Sequence, residues 1–421
     1  MRGVRLKCVS TRKFKTGAIS LSLICPLDKK TAALNAVLPY VLRRGTASHP
    51  DMVSIEAYLD ELYGARLEPV LRKRGEVQCV GFYADFVDEA FVGRGTGIIE
   101  KVSELLGEML LMPAIAGGRL RRDYVETERD NLIADIKSEL NDKRSYASHR
   151  LLENMCDRER YSVPKLGRLR EAEKITVATL TNHYRSLIGC APVEVFYCGS
   201  ADPDRVARAV RDALSGLPRR EITPLPTTEI RYAPKGPARE FTETMELTQA
   251  RLCMGYRVGN AMRRPNRAAL SVANAMLGGA PTSKLFMNVR ERLGLCYYVS
   301  SGLDSHKGVL LISSGVDGEK LGDARAEIEA QLAALKAGDF EDWELETAKK
   351  SIVTAYLSVC DSQPALEAAY LDFGLSGLEL GADDIAALSE EVSREDVMEI
   401  FRGLALDSVF TLRNGGGDDV Q

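Results

Sequence analysis

The strongest constraint on this chain is an internal repeat. Residues 123–143 and 342–362 share a helical pattern that ends in a polar turn, about 220 residues apart. The offset recurs further on, where 176–187 followed by the apolar run 193–198 matches 393–404 followed by 408–412. Both copies read as capped helix, short turn and strand. A repeat of that length makes the fold one unit used twice.

Between the halves, residues 216–236 carry Pro218, Pro224, Pro226 and Pro234 among polar side chains, which favours an extended connector over a helix or central strand. The expected organisation is a first domain over 1–215, a linker over 216–236 and a second domain over 237–421. The first domain reads as a strand at 19–25, helices at 30–44 and 54–63, strands through 77–85, a helix at 98–111 and a helix-rich stretch over 124–155. The second reads as a strand at 251–256, helices at 267–277 and 282–292, strands at 297–300 and 309–316, and helices at 320–336 and 343–359. Strand hairpins with helices grouped between them predict an α+β fold, a mainly antiparallel sheet with helices on one face, repeated twice. The Gly- and Asp-rich end, 414–421, is expected to fray.

Composition narrows the function classes. With 56 basic and 60 acidic side chains the net charge is -4, and no long single-sign block provides a footprint for nucleic acid. The longest apolar stretch, 19–27, is too short to cross a bilayer, and the basic start at 1–15 lacks the apolar run of a signal peptide. The expectation is a cytoplasmic protein without membrane insertion. Nine cysteines with no CxxC pair fit reduced, buried thiols better than disulfides or a zinc knot.

The most specific stretch is 277–299, Leu-Gly-Gly-Ala-Pro-Thr-Ser-Lys-Leu-Phe-Met-Asn-Val-Arg-Glu-Arg-Leu-Gly-Leu-Cys-Tyr-Tyr-Val, in which glycines open a helix that ends at Gly294 and turns into a strand. It resembles the second domain of the pitrilysin/insulinase metallopeptidase family, the inverzincins, which includes mitochondrial processing peptidase. The resemblance covers nearly the whole chain and implies that family's duplicated α+β fold.

Peptide-cleaving members carry His-x-x-Glu-His on the first helix, before a Gly-Thr turn. Histidines four apart lie on one helical face and ligate zinc, while the Glu polarises the attacking water. Here the turn is Gly45-Thr46, and counting back places Ala36, Pro39 and Tyr40 at the motif positions. A methyl group and a pyrrolidine offer no ligand, and a phenol of pKa near ~10 is mostly protonated at neutral pH. The downstream glutamate ligand falls on Asp135, in the helix holding Glu126, Glu128 and Asp130, whose bland reading is a solvated face paired with Lys and Arg. The four histidines, His49, His149, His183 and His306, include no pair at ligand spacing. No metal and no cofactor are therefore expected. The family's Asn-Ala-x-Thr segment is replaced by Leu67-Glu68-Pro69-Val70, so the resemblance implies that the zinc-side cleft has lost its substrate edge as well as its metal.

By the same resemblance, Arg290 and Tyr297 match an Arg and a Tyr that bind the substrate peptide and the oxyanion, with Gly278 and Gly279 allowing close backbone approach. A structural alternative is an Arg290–Glu291 pair and a half-buried Tyr297. The stretch 141–156 looks like the non-catalytic bacterial members that accompany a zinc-bearing relative. What this implies is a catalytically inactive subunit that pairs with a zinc-bearing homologue as a heterodimer and forms half of a peptide-binding chamber. Its peptide substrate would then be held by Arg290 and Tyr297. A homodimer is a further arrangement that duplicated surfaces permit. The alternatives are a non-proteolytic structural or assembly subunit resembling the core proteins of respiratory complexes, and a cysteine hydrolase using His149 or His183, for which no nucleophile signature exists.

Overall fold

The computed structural model describes residues 1–93, 95–259, 267–378 and 380–415. The first half of the sequence forms β1 (Val4–Ser10), β2 (Thr16–Pro26), α1 (Ala32–Arg43), α2 (Met52–Glu61), β3 (Arg66–Arg74), β4 (Val77–Val87), the single turn α3 (Glu89–Val92), α4 (Ile98–Leu111), a small ribbon of β5 (Ile115–Ala116) and β6 (Arg119–Leu120), α5 (Arg122–Ser138), α6 (Lys143–Met155), the single turn α7 (Leu169–Ala172), α8 (Val177–Cys190), β7 (Val193–Gly199) and α9 (Pro203–Ala213). The second half forms β8 (Arg239–Met245), β9 (Ala250–Arg257), α10 (Arg267–Asn274), two π-helical segments (Ala275–Gly279 and Leu285–Arg292), β10 (Cys296–Asp304), β11 (Val309–Val316), α11 (Leu321–Ala337), α12 (Asp342–Val359), α13 (Gln363–Leu375), α14 (Ala382–Glu390), α15 (Arg394–Gly403) and β12 (Ala405–Asn414). Between 216 and 236 there is neither helix nor strand. Most of the Gly- and Asp-rich end, 416–421, lies outside the described residues, and so does its expected fraying.

Each half builds one five-stranded sheet, ordered β1-β7-β2-β4-β3 and β8-β12-β9-β11-β10. In both, the last strand runs parallel to the first, Leu6 beside Val195 and Phe241 beside Phe410, and the remaining pairings are antiparallel. The repeat in the sequence is thus one topology used twice, a mainly antiparallel sheet packed with helices. Residues 1–137, 163–227 and 362–375 form one compact unit; 138–162, 228–361 and the residues from 376 on form the other. Each unit therefore takes one helix from the other half of the sequence: α13 belongs to the first unit and α6 to the second.

In the first unit, Ile19, Leu21 and Leu23 of β2 face a core that includes Val37 and Val41 of α1, Val102 and Leu106 of α4 and Leu180 of α8. Successive strand residues point to opposite faces, so Ser20, Ser22 and Ile24 face the other way, yet they too are buried. The cover is α13. Leu371 packs with Ile24 and Cys79, and Glu367 accepts from Ser20 Oγ at 2.9 Å and from Arg72 at 2.7 Å. Gln363 accepts from Thr16 Oγ1 at 2.7 Å and donates to the carbonyls of Thr16 and Cys198 at 2.8 and 3.0 Å.

In the second unit α6 has the same role. Ala147 and Leu151 pack with Cys253, Phe410 and Leu412, and Met155 packs with Val309. The turn after α6 brings Glu159 into a buried ionic cluster. Arg257 and Lys307 each donate to Glu159 at 2.6 Å, and Arg257 donates to Asp407 at 2.9 Å; Asp407 also accepts from Arg239 at 2.6 Å. Lys307 is 0% exposed. Burial alone would push the Glu159 and Asp407 carboxyls up, but the cationic donors around them outweigh it and hold both below the usual carboxylate range. The expected one-sided helical layer is thus corrected: each sheet is covered on both faces. In β2 the far face carries Ser20 and Ser22, so its alternation of apolar and polar residues reads as a solvent-facing side, and nothing local in the sequence shows that a distant helix buries it.

A second buried network joins α1 to α8. Gln78 Nε2 donates to the carbonyls of Ala32 and Lys165, Asn35 Nδ2 donates to Gln78 Oε1 at 2.9 Å, and His183 Nε2 lies 2.6 Å from Asn35 Oδ1. With Asn35 Oδ1 left as an acceptor, the proton of neutral His183 sits on Nε2. Burial lowers the His183 pKa from 6.5 to about 4. The unfolded chain therefore takes up a proton that the folded chain refuses. His183 adds stability above its unfolded pKa, and up to about 3 kcal/mol of it is lost as pH falls from there towards the folded value. His183→Gln should flatten that part of the stability profile in denaturant titrations between pH 7 and 4; an unchanged profile would remove His183 as its source.

Glu159→Ala leaves Arg257 and Lys307 buried without their shared carboxylate and should cost about 3–5 kcal/mol in chemical unfolding. Amide exchange over α6 should accelerate with it. Full protection of α6 in the variant would mean that apolar contacts alone hold the helix.

Candidate functional site

The positions that the resemblance matches to the family's zinc ligands, Ala36, Pro39, Tyr40 and Asp135, lie on α1 and α5 of the first unit. Ala36 is 1% exposed and belongs to the apolar core, and Pro39 is buried inside the helix. Pro39 has no N–H to return to the carbonyl of Asn35. Tyr40 is the one motif position that reaches solvent, at 43% exposure. Partial burial, then the carboxylates of Asp135, Glu128 and Glu68, raise its pKa and keep the hydroxyl protonated. Arg44, at the end of α1, forms an ion pair with Glu128, which also accepts from Asn131 at 3.1 Å. The neighbouring acids of α5 follow the bland reading, with Glu126 on Arg122 at 2.7 Å and Asp130 on Arg129 at 2.8 Å. Among the described residues no group of three or more His, Cys, Asp and Glu is disposed to hold a metal ion. The Arg44–Glu128 pair was not foreseen; an arginine just before a Gly-Thr turn carries no local sign of a partner 84 residues away.

The segment Leu67–Val70 lies within β3, at the edge of the first sheet. The edge is present, but its chemistry differs from the family pattern. A proline survives in an edge strand where its nitrogen faces away from the ladder, so the open rim of β3 lacks a donor at Pro69.

Arg290 and Tyr297 lie in the second unit. The helices expected at 267–277 and 282–292 are present, with π-helical turns over Ala275–Gly279 and Leu285–Arg292. Such turns are rare and cluster at functional sites. Arg290 sits on the second of them, its guanidinium 4.7 Å from the Phe286 ring centroid and 3.6 Å from Glu291. That segment is fixed to its neighbours: Lys284 pairs with Glu344 of α12 at 3.0 Å, and Asn288 donates to Gln331 of α11 at 2.9 Å. Gly294, at φ +57°, supplies the left-handed residue that ends it.

Tyr297 falls at an irregularity between Cys296 and Tyr298, where the β10–β11 register shifts. An extra residue in one strand re-aims its side chain, and Tyr297 is 56% exposed between the buried Cys296 and the half-buried Tyr298. Its hydroxyl makes no hydrogen bond with a described residue. Gly278 lets the first π segment approach β10, since a Cβ there would stand 2.7 Å from Ser301 N; a Cβ on Gly279 would meet the Asn274 amide at 2.8 Å. Both glycines thus have a packing reason within the unit.

The buried thiols do not form a nucleophile. Burial pushes Cys79 up to about 12 and Cys253 up to about 11, and raises Cys25 further still. His183 is engaged with Asn35, and His149 lies 3.9 Å from Glu139. No helix among the described residues is long and apolar enough to cross a membrane.

Residues 174–352 match the family model described as the peptidase M16 inactive domain. "Probable inactive metalloprotease YmfF" of Bacillus subtilis (strain 168) is 30% identical over 416 residues, covering 99% of this chain and 97% of that protein. "Uncharacterized zinc protease YmxG" of the same strain is 35% identical over 115 residues, 27% of this chain and 28% of its own length. A solved structure described as a conserved protein from Enterococcus faecalis V583 superposes with a TM-score of 0.89 at 26% identity, covering 99% of this chain and 98% of the other. The duplicated sheet topology, the altered motif on α1 and the near full-length similarity to YmfF lead to one conclusion: the chain belongs to the peptidase M16 family, the pitrilysin/insulinase metallopeptidases, as an inactive-type member.

Proposed function

We propose that this chain is the zinc-free half of a heterodimeric M16 peptidase. It pairs with a zinc-bearing homologue, forms one side of the peptide chamber and lends Arg290 and Tyr297 to the substrate carbonyl and to the oxyanion that develops on cleavage. One observation carries this reading. The first unit offers a methyl, a pyrrolidine and a phenol at Ala36, Pro39 and Tyr40, while the second unit keeps Arg290 and Tyr297 exposed on a braced π turn and a strand irregularity. A guanidinium and a phenol aimed at one carbonyl stabilise negative charge as it forms, because they need little reorganisation during the reaction.

The pairing is supported by Bacillus subtilis 168, which holds both an inactive metalloprotease relative and a zinc protease relative of this chain. Gly278 and Gly279 would leave room for the peptide backbone near β10. Short or unfolded peptides are the substrate class, since a closed chamber excludes folded proteins. The nine cysteines, reduced and for the most part buried, favour a cytoplasmic setting.

The test is reconstitution with the zinc-bearing homologue of the same organism. Cleavage of an unstructured peptide should require both chains and be abolished by a chelator. Arg290→Ala or Tyr297→Phe should reduce the rate about 10²- to 10³-fold without dissolving the complex. A stable complex that cleaves nothing would favour the structural or assembly subunit instead. Full activity of the zinc-bearing chain alone would sink the proposal.

A further inference from the structure

The first unit contains a cavity of about 580 Å³ that the reading above does not use. Its walls include the rings of Phe14, Phe86, Phe91 and Tyr197, and Arg12 stands at its lining. None of these residues belongs to the altered zinc motif or to the acids around Tyr40. The volume is in the range of small-molecule sites, which are apolar cavities with a few placed polar groups. Phe91, on the single turn α3, is 58% exposed, and its ring contributes to this wall rather than to the core.

The charges around the cavity are unevenly committed. Asp88 accepts from Ala90 N, Ser200 N and Ser200 Oγ at 2.9, 3.0 and 2.7 Å. Glu89 holds Arg205 through two bonds of 2.7 and 2.8 Å and accepts from Ile98 N at 2.9 Å. Asp202 caps α9, accepting from the amides of Asp204 and Arg205 at 3.0 and 3.1 Å. Arg12 makes no hydrogen bond or ion pair with any described residue. It lies in a stretch that carries Arg2, Arg5, Lys7, Arg12, Lys13 and Lys15 and has no acidic residue before Asp28. The carboxylates in the wall are thus saturated, and among the described residues of the lining the uncommitted charge is the Arg12 guanidinium, whose fork matches a carboxylate bidentately.

We infer that this cavity binds a carboxylate borne on an aromatic or branched apolar group, with the apolar part among Phe14, Phe86, Phe91 and Tyr197 and the acid on Arg12. The C-terminal residue of a peptide and a free aryl-alkanoate share this chemistry. The inference stands independently of the heterodimer, because it concerns this chain alone.

Calorimetric titration of the full chain with three probes tests it: N-acetyl-Gly-Gly-Phe with a free C-terminus, the same peptide as its C-terminal amide, and 4-phenylbutyrate. The free acid should bind at least about tenfold more tightly than the amide, a difference of about 1.4 kcal/mol. Arg12→Gln, an exposed change with no bond to lose, should bring the acid down to the level of the amide, and Phe91→Ala should weaken both. Comparable binding of 4-phenylbutyrate identifies a small acid as sufficient, whereas binding of the peptide acid alone assigns the site to a peptide terminus. Equal affinity for acid and amide overturns the inference. So does no binding of any probe at millimolar concentration, or acid binding that survives Arg12→Gln unchanged.

Discussion

Glu159 is the point on which the second sheet's far face depends. Two cations with almost no access to solvent, Arg257 and Lys307, share its carboxylate, and Arg257 continues to Asp407 and from there to Arg239. Charges so deeply buried persist only when each has its counter-charge and its hydrogen bonds. The arrangement ties the turn after α6 to β9, to β12 and to the tight turn before β11. The first unit solves the same problem with less charge, through Glu367 on Ser20 and Arg72 and Gln363 on Thr16 and Cys198. In both units an apolar helix face supplies area, while a specific polar clasp selects where the helix docks. Non-directional burial alone cannot make that selection.

Around Tyr40 the first unit balances its charges without any group disposed to hold a metal among the described residues. Partial burial, with Asp135 and Glu128 nearby, raises the Tyr40 pKa. Arg44 balances Glu128, and the protonated Tyr40 hydroxyl keeps an O–H to donate. Ala36 and Pro39 are buried in the packed helix, where an imidazole at 36 or a carboxylate at 39 would not fit without displacing core atoms. The loss is therefore built into the core as well as the surface, and no single substitution would restore a ligand set.

Much of this was legible in the sequence. The duplication, the strands at 19–25 and 309–316 and the helix at 98–111 all follow from local pattern and spacing, whereas positions 36, 39 and 40 stand out only through the resemblance to the family motif. What escaped depends on long-range partners. The edge strands β1 and β8 are short and half polar, which conceals that each completes its sheet beside a strand from the far end of its own half. Lys307 sits in a Gly-containing polar turn that reads as solvent-exposed, and partners far away in sequence, the carboxylate of Glu159 and the carbonyl of Glu229, make its burial tolerable. Tyr297 was picked out by resemblance, but its register irregularity has no signature in the text Cys-Tyr-Tyr-Val. The π turns were invisible for a similar reason, since their composition is that of an ordinary helix.

The exchange of α6 and α13 sets an order on synthesis. A nascent chain that has emerged as far as β7 already holds every strand of the first sheet, yet Ser20, Ser22, Ile24 and Cys79 stay uncovered until residues 363–375 have left the ribosome. For the intervening stretch of translation the first sheet presents a sticky, half-dressed surface while α6 waits for strands not yet made. Contacts of such large sequence separation are slow to form and open to misassembly, so the duplicated architecture makes completion of either half contingent on nearly the whole polypeptide.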